Sequence, residues 1–189
     1  MRRAIVERET RETKVSVEVN LDGSGESIIC TPSKFLSHML NSLSVHSGID
    51  VTIQASGDLL HHIIEDIAIV FGQAFRQALG DGTGIQRFGS ALVPMDCSLA
   101  QVVLDLVRRS YYVANIPLER RIIEDIPTED IKHFLETFAH SACFNLHILV
   151  QYGKNDHHKV EAVFKALALS LREGISVQTK EIPSAKGVL

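Results

Sequence analysis

Hydrophobic and polar positions alternate in blocks along the chain, first with the period of strands and then with that of helices. Val15–Val19 and Ser27–Cys30 alternate or run β-branched, and the turn-rich segment Asn20–Glu26 between them predicts a hairpin. Ser33 is expected to cap a helix over Lys34–His46, whose apolar residues recur on one face. The chain therefore begins with strands that are followed by an amphipathic helix.

The same kinds of element continue and then start again. A strand over Asp50–Ala55 and a helix over His61–Leu79 complete the first set, and a glycine-rich joint at Gly80–Gly89 follows. The second set is predicted to comprise strands within Leu99–Val113, a charged connection to Pro127, a helix from Thr128 to about Cys143, a strand over Asn145–Tyr152 and a helix over Asp156–Gly174. Each half therefore predicts a hairpin, a helix, a strand and a helix.

A fixed offset of 96 residues relates one motif in each half of the chain. Each copy has a glycine at the end of a strand and a His-His-x-x-Glu motif at the start of the next helix. The matched positions are Gly57, His61, His62 and Glu65 in the first half and Gly153, His157, His158 and Glu161 in the second. The repeat predicts a tandem duplication with an α+β fold. Half-domains over 1–90 and 91–189, each with a sheet packed against helices, are expected to form one compact catalytic unit.

Composition narrows the class of protein. The chain has 189 residues, of which 45% are hydrophobic, and its 19 basic and 23 acidic side chains give a net charge of −4. This balance fits a globular protein and argues against nucleic acid as a partner. No apolar run has the length of a membrane span and no secretory signal is evident, so we expect a cytoplasmic protein without a membrane partner. Three scattered cysteines agree with a reducing compartment, and nine histidines stand out.

The two His-His-x-x-Glu motifs predict metal binding. On a helix, the two histidines and the glutamate occupy positions i, i+1 and i+4 and face one end of the first turn. Imidazole nitrogens together with a carboxylate suit Mn²⁺, Fe²⁺ or Zn²⁺. A polar helix start explains a single copy equally well, but two equivalent copies favour metal. Adjacent rings cannot easily bind one ion, which favours two ions per site, each drawing one histidine from each pair.

The other five histidines divide into two groups. His38 lies beside apolar residues of the first predicted helix, and His147 lies within an apolar strand. A lone histidine in such a place is more often a core residue than a ligand, so spacing leaves both roles open. His46, His133 and His140 have no comparable partner and are expected to be surface or cap residues.

Cationic and hydroxyl side chains suggest an anion site. Arg87 follows a glycine run, Arg109 ends a strand, and Ser184 and Lys186 lie in a tail with a flexible backbone. These groups suit a phosphate, although ordinary solvated cations are the simpler explanation on sequence alone. No Walker loop or GxGxxG motif is present, so a nucleotide cofactor is not predicted.

An ordered series of motifs runs along nearly the whole chain, and their combination is highly specific. The motifs are Arg8–Thr13, Phe35–Leu40, His61–Asp66, Arg87–Gly89, Pro94–Asp96, Leu146–Ile148, His157–Ala162, Phe164–Ala166 and Ser184–Gly187. A chain with these motifs resembles the imidazoleglycerol-phosphate dehydratases of histidine biosynthesis.

The resemblance implies a Mn²⁺-dependent loss of water from imidazole glycerol phosphate, which gives imidazole acetol phosphate. It also implies two Mn²⁺ ions per active site, active sites between subunits, and a large homo-oligomer that is a 24-mer in the family. The implied metal ligands are His38, His61, His62, Glu65, His147, His157, His158 and Glu161. The implied substrate-binding residues are Glu12, Arg87, Arg109, Ser184 and Lys186, and the implied catalytic carboxylates are Glu12 and Glu161.

The chain departs from the family pattern at three places. The loop Gly57–Leu60 is several residues short, and Leu60 replaces an aspartate, so a hydrogen-bond acceptor for the histidines is expected to be lost. Cys97 stands where a glutamate is common, and Arg108 stands where a glycine is common. All the implied ligands are present.

Two other functions fit the same residues. A metal-dependent hydrolase of a phosphorylated metabolite would use the same ligands, but it would release phosphate, whereas a dehydratase would form a ketone. A metal-buffering shell without activity would need the histidines but not Glu12, Arg87 or Lys186.

Overall fold

The computed structural model describes residues 2–189, and these form ten strands and four helices, none of which is long and apolar enough to cross a membrane. The first half runs β1 (Arg3–Glu9), β2 (Thr13–Asn20), β3 (Ser27–Cys30), α1 (Lys34–Ser47), β4 (Asp50–Gly57) and α2 (Leu60–Leu79). The second half runs β5 (Phe88–Met95), β6 (Ser98–Asp105), β7 (Tyr111–Asn115), β8 (Ile122–Ile123), β9 (Ile126–Pro127), α3 (Thr128–Ser141), β10 (Asn145–Tyr152) and α4 (Asp156–Gly174). Apart from the short β8 and β9, the two halves have the same order of elements.

The two four-stranded sheets share one topology. The strand orders are β1-β2-β4-β3 and β5-β6-β10-β7, and corresponding neighbours pair in the same sense. The first three strands of each sheet are antiparallel, and the fourth (β3 or β7) pairs in parallel with β4 or β10. The α+β class and the duplicated organisation are therefore confirmed.

The predicted hairpin between Val15–Val19 and Ser27–Cys30 is wrong. Val17 on β2 pairs with β1 on one side and with β4 on the other, whereas β3 pairs in parallel with the far edge of β4. The connection between β2 and β3 is held by Asp50 at the start of β4, whose Oδ1 accepts backbone N–H groups of Ser24, Gly25 and Glu26 at 2.8–3.0 Å. The turn residues are real, but they carry the chain across the end of β4.

Periodicity does not reveal strand β5. Gly89 and Pro94 interrupt its alternation, and both residues are usually depleted in strands. Gly89 is required by close packing, since a Cβ there would lie 1.9 Å from the carbonyl oxygen of Ser170 on α4. The second sheet consequently begins at Phe88, close to the predicted junction of the half-domains.

Four helices lie between the two sheets. α1 and α2 pack on the first sheet, α4 packs on the second, α1 packs against α4, and α2 packs against α3. The aromatic core joins both halves, since Phe71 and Phe75 of α2 contact Phe138 of α3 with ring centroids 4.8 and 6.1 Å apart. The helices that carry the histidine motifs are therefore held by partners from the opposite half.

Candidate metal centres and an anion-binding cavity

The first candidate centre, which we call the first triad, comprises His61 and Glu65 of α2 and His133 of α3. Each residue offers one ligand atom, and these atoms lie within 4.8 Å of one another. Glu65 Oε1 is 3.2 Å from His133 Nε2, and the rings of His61 and His133 stack with centroids 5.5 Å apart. The i, i+4 spacing on α2 brings the first two side chains together, and the packing of α3 against α2 adds the third.

The second triad comprises His157 and Glu161 of α4 and His38 of α1. Glu161 Oε2 lies 3.3 Å from His157 Nε2 and 3.7 Å from His38 Nε2. It is built in the same way as the first triad, from a helix of one half and a histidine on a helix of the other half.

His133, which was expected to be a surface or cap residue, belongs to the first triad, whereas His147, an implied ligand, belongs to neither triad. His147 lies on the outward face of β10, away from the helices, and its ring faces Tyr111 at a centroid distance of 6.4 Å. Within residues 2–189 it joins none of the candidate metal groups, because alternate residues of β10 point away from the helix layer. His133 therefore takes the place of His147 among the candidate ligands. An offset of 95 from His38 identifies His133, a signal that the motif comparison missed.

The second histidine of the first motif faces a strand turn and belongs to neither triad. His62 Nδ1 is 2.9 Å from Asp58 Oδ1 and 3.7 Å from Glu12 Oε2, and the hydrogen bond to Asp58 raises the pKa of His62. Glu12, Asp58 and His62 form a third group of possible ligands. The expected loss of an acceptor through Leu60 is not observed, because Asp58 in the shortened loop supplies one.

The second histidine of the other motif has a different neighbour. His158 Nδ1 lies 3.5 Å from the sulfur of Cys97, and its Nε2 lies 3.5 Å from Asp96 in the β5–β6 turn. The contact with His158, together with backbone N–H groups of Lys154 and Asn155, lowers the pKa of Cys97 to about 6. Cys97 therefore stands at the edge of the candidate site with a thiol that is more acidic than usual.

Carboxylates also hold the first histidine of each motif. Asp130 of α3 lies 2.6 Å from His61 Nδ1, and Glu124 in the β8–β9 turn lies 3.1 Å from His157 Nδ1. A carboxylate on Nδ1 orients the ring and leaves Nε2 for an ion. The sequence pattern did not identify Asp130 or Glu124, since neither belongs to a repeated motif.

Glu161 is the most enclosed of the triad residues, with 9% of its side chain exposed. Burial opposes its charge, but the ammonium of Lys165, 2.9 Å from Oε1, together with the imidazoles of His38 and His157, outweighs this and lowers the pKa of Glu161. A buried carboxylate that stays ionised suits a metal ligand better than a proton acceptor.

The donor chemistry of both triads fits a divalent transition ion. Two imidazole nitrogens and one carboxylate oxygen suit Mn²⁺, Fe²⁺ or Zn²⁺. Three donors leave further coordination positions for substrate, water or a ligand from another chain.

The predicted anion-binding residues line one cavity of about 470 Å³. Its lining includes Arg87, Arg108, Arg109, Ser184 and Lys186. Arg108, which stands where a glycine is common in the family, adds a third guanidinium to this cavity. Two nitrogens of Arg87 contact the carboxylate of Asp105 at 2.6 and 3.0 Å, and this pairing raises the pKa of Arg87. The geometry suits a phosphate, because cationic side chains and a hydroxyl converge on one space.

The chain matches known proteins over almost its full length. The family model for imidazoleglycerol-phosphate dehydratase matches residues 31–171. The imidazoleglycerol-phosphate dehydratases of Methanothermobacter thermautotrophicus and Dehalococcoides mccartyi strain 195 are 48% and 46% identical to it over 192 and 191 residues, covering 100% of this chain and 98% and 97% of theirs. Crystal structures of the enzymes from Staphylococcus aureus and Pyrococcus furiosus superpose with TM-scores of 0.86 and 0.83 at 32% and 34% identity. They cover 93% and 97% of this chain, and 99% and 100% of their own chains are matched.

Proposed function

The chain belongs to the imidazoleglycerol-phosphate dehydratase family, and from this premise we propose how its residues divide the work of the reaction. Family membership confirms the predicted activity: the protein is a hydro-lyase of histidine biosynthesis that dehydrates imidazole glycerol phosphate. This favours dehydration over the hydrolase and the metal-buffering shell, which explain the histidines but not the match along the whole chain.

We propose that the two triads hold two Mn²⁺ ions for each active site. The observation that supports this most strongly is the duplicated donor set, two imidazoles and a carboxylate on equivalent helices of the two halves. His62 and His158 face strand turns and not their own triads, so each is free to complete a triad of a neighbouring chain. Such an arrangement would give each ion one histidine from each pair.

We assign different tasks to the remaining polar residues. Bound Mn²⁺ would supply Lewis-acid stabilisation of the negative charge that develops on the substrate imidazole. Glu12 is exposed beside His62 and accepts the carbon-bound proton, and the neighbouring hydroxyl departs as hydroxide, so that the two together are the water lost. Glu161 serves as a ligand because it is buried and paired with Lys165. Arg109 and Lys186 bind and orient the phosphate together with the other residues of the anion-binding cavity.

We propose that the chain assembles with further copies of itself through the outer face of the second sheet. This face exposes Leu92, Val103, Val113 and Leu149, and a shallow cavity of about 300 Å³ lies over the last three. Contiguous apolar surface of this kind is typical of a protein interface. Assembly would also bring the second histidine of one chain to a triad of another. A cytoplasmic location fits a biosynthetic enzyme whose three cysteines are free.

Reconstitution tests the assignment directly. Metal-free protein supplied with Mn²⁺ should convert imidazole glycerol phosphate into a ketone without releasing phosphate. His62→Ala and His158→Ala should abolish turnover, while His140→Ala, which changes an exposed histidine at the end of α3, should leave it unchanged. Wild-type rates in both motif variants, or activity that persists without any divalent ion, would contradict the proposed centre.

A further inference from the structure

The connection between β7 and α3 has no equivalent in the first half. Residues 31–33 link β3 to α1, whereas residues 116–127 link β7 to α3 and include the small β8–β9 sheet. Glu124 and Asp125 form the turn of that sheet. The added turn is therefore a feature of the second half alone.

Glu124 has an unusual backbone conformation. Its φ is +54°, in the left-handed region that side chains other than glycine and asparagine rarely adopt. Glycine would occupy this position without strain, so the presence of a long acidic side chain calls for a gain elsewhere.

The gain is a contact with the second triad. Glu124 Oε1 lies 3.1 Å from His157 Nδ1, and the other ring nitrogen of His157 lies 3.3 Å from Glu161 Oε2. A carboxylate at Nδ1 fixes the ring so that Nε2 faces the triad. His61 obtains the same support from Asp130, which is a residue of a regular helix.

The turn that carries Glu124 is fixed to the helix that carries His38. Asp125 Oδ1 lies 2.8 Å from Ser33 Oγ, and Asp125 Oδ2 accepts the backbone N–H of Lys34 at 2.7 Å. In the part of the connection that precedes the turn, the backbone N–H groups of Glu119 and Arg120 donate to Asp156 Oδ2 at 2.8 and 2.7 Å. The turn is thus attached to α1 and to α4, the two helices that build the second triad.

We propose that Glu124 is a positioning residue for the second triad, held in a strained backbone conformation so that its carboxylate orients His157. The proposal rests on the assignment of the triads as ion sites. A turn residue without this role would prefer glycine, and replacing it would leave the ions unaffected.

A titration of metal-free protein with Mn²⁺, in which the concentration of free Mn²⁺ is measured, tests this with the variants Glu124→Gly and Glu124→Gln. Glu124→Gly should lower the affinity for one of the two ions bound per chain by about 10–100-fold and leave the affinity for the other unchanged. A loss of this size is usual when a residue that orients a metal ligand is removed. Its melting temperature without metal should stay the same or rise, because glycine relieves the left-handed φ. Glu124→Gln keeps an acceptor but loses the charge, so its effect should be smaller.

Glu119→Gln is the matched control, since it removes a charge from an exposed side chain of the same connection and should bind both ions like wild type. Wild-type affinity for both ions in both Glu124 variants would overturn the positioning role while the triads stand. Equal weakening of both ions with a lower melting temperature would also overturn it, as a general loss of fold. A wild-type chain that binds no Mn²⁺ would overturn the ion sites and this proposal together.

Discussion

The two halves of the molecule share a topology and a triad but surround that triad differently. Glu161 is 9% exposed and paired with Lys165, whereas Glu65 is 41% exposed and has only His133 beside it among the ion pairs of residues 2–189. His62 contacts the carboxylate of Asp58, whereas His158 contacts the thiol of Cys97. The candidate ligand groups are the same in the two halves, whereas the residues that contact them differ. Such a difference is expected if the two ions have different tasks.

The outer faces of the two sheets differ even more. Every second residue of the first sheet points outward, and most of these are polar or charged, as in β1, β2 and β4. The second sheet exposes an apolar row in the equivalent place. Candidate ion sites therefore occur in both halves, whereas the exposed apolar row lies on the second sheet.

The largest effect is expected at the buried pair of Asp156 and Lys159, which replaces Leu60 and Ile63 of the first half. Both side chains are 3% exposed, with Oδ1 and Nζ 2.9 Å apart. Asp156→Asn should lower the free energy of unfolding by about 3–5 kcal/mol, because it leaves the buried lysine charge with only the exposed Glu119 carboxylate, 4.0 Å away, as an anionic partner. Adding Lys159→Ile to Asp156→Asn removes the buried charge and keeps an acceptor for the Glu119 and Arg120 N–H groups, so the double variant should recover part of this loss, and denaturant unfolding of both variants checks this order.

Assembly should be the next most sensitive property. Leu149→Asp places a charge in the apolar face of the second sheet, whereas Gln54→Asp places one at the equivalent position of the first. Only Leu149→Asp should shift the mass measured by light scattering toward smaller species. Equal masses for the two variants would rule out the second sheet as the assembly surface.

A more selective effect is expected at Asp130, the partner of His61. Asp130→Asn should lower the Mn²⁺ affinity of the first triad by about 10–100-fold and leave the affinity of the second triad unchanged. Mn²⁺ titration measures this, with Glu129→Gln as a control that removes a neighbouring charge from α3. Loss at both triads would mean that the two centres are not independent.

The smallest effect concerns Cys97. Its thiol lies beside His158, whereas the carboxylate of Asp58 lies beside His62 in the first half. Because its pKa is lowered to about 6, the reactive thiolate predominates at pH 7 and declines as the pH falls below about 6. Brief alkylation of metal-free protein should therefore modify Cys97 before Cys30 and Cys143, with a rate that drops in acid. Mass mapping of the modified peptides would reveal any other order.

Local periodicity predicts much of this fold. It gives the bounds of β10 and α4 as the structure shows them, and Ser33 caps α1 as expected, accepting the N–H of Leu36 at 3.0 Å. The partners of β2 and β3 could not be predicted, because strand order depends on how the connection held by Asp50 crosses β4. A hydrophobic period carries no information on such long-range pairing.

The candidate site was only partly predictable for a related reason. The motif repeat identifies His61, Glu65, His157 and Glu161, and its extension to an offset of 95 from His38 would have found His133. The contact of Glu124 with His157 depends on the geometry of a turn present in one half only. No repeat or spacing could therefore reveal it.

The central claim, one ion site in each half, is tested most directly by counting bound Mn²⁺. Metal-free wild-type protein should bind two ions per chain, and His133→Ala and His38→Ala should each bind one. His147→Ala should still bind two, because its ring lies on the outer face of β10. Two ions in His133→Ala, or a single ion in His147→Ala, would contradict the assignment of the triads.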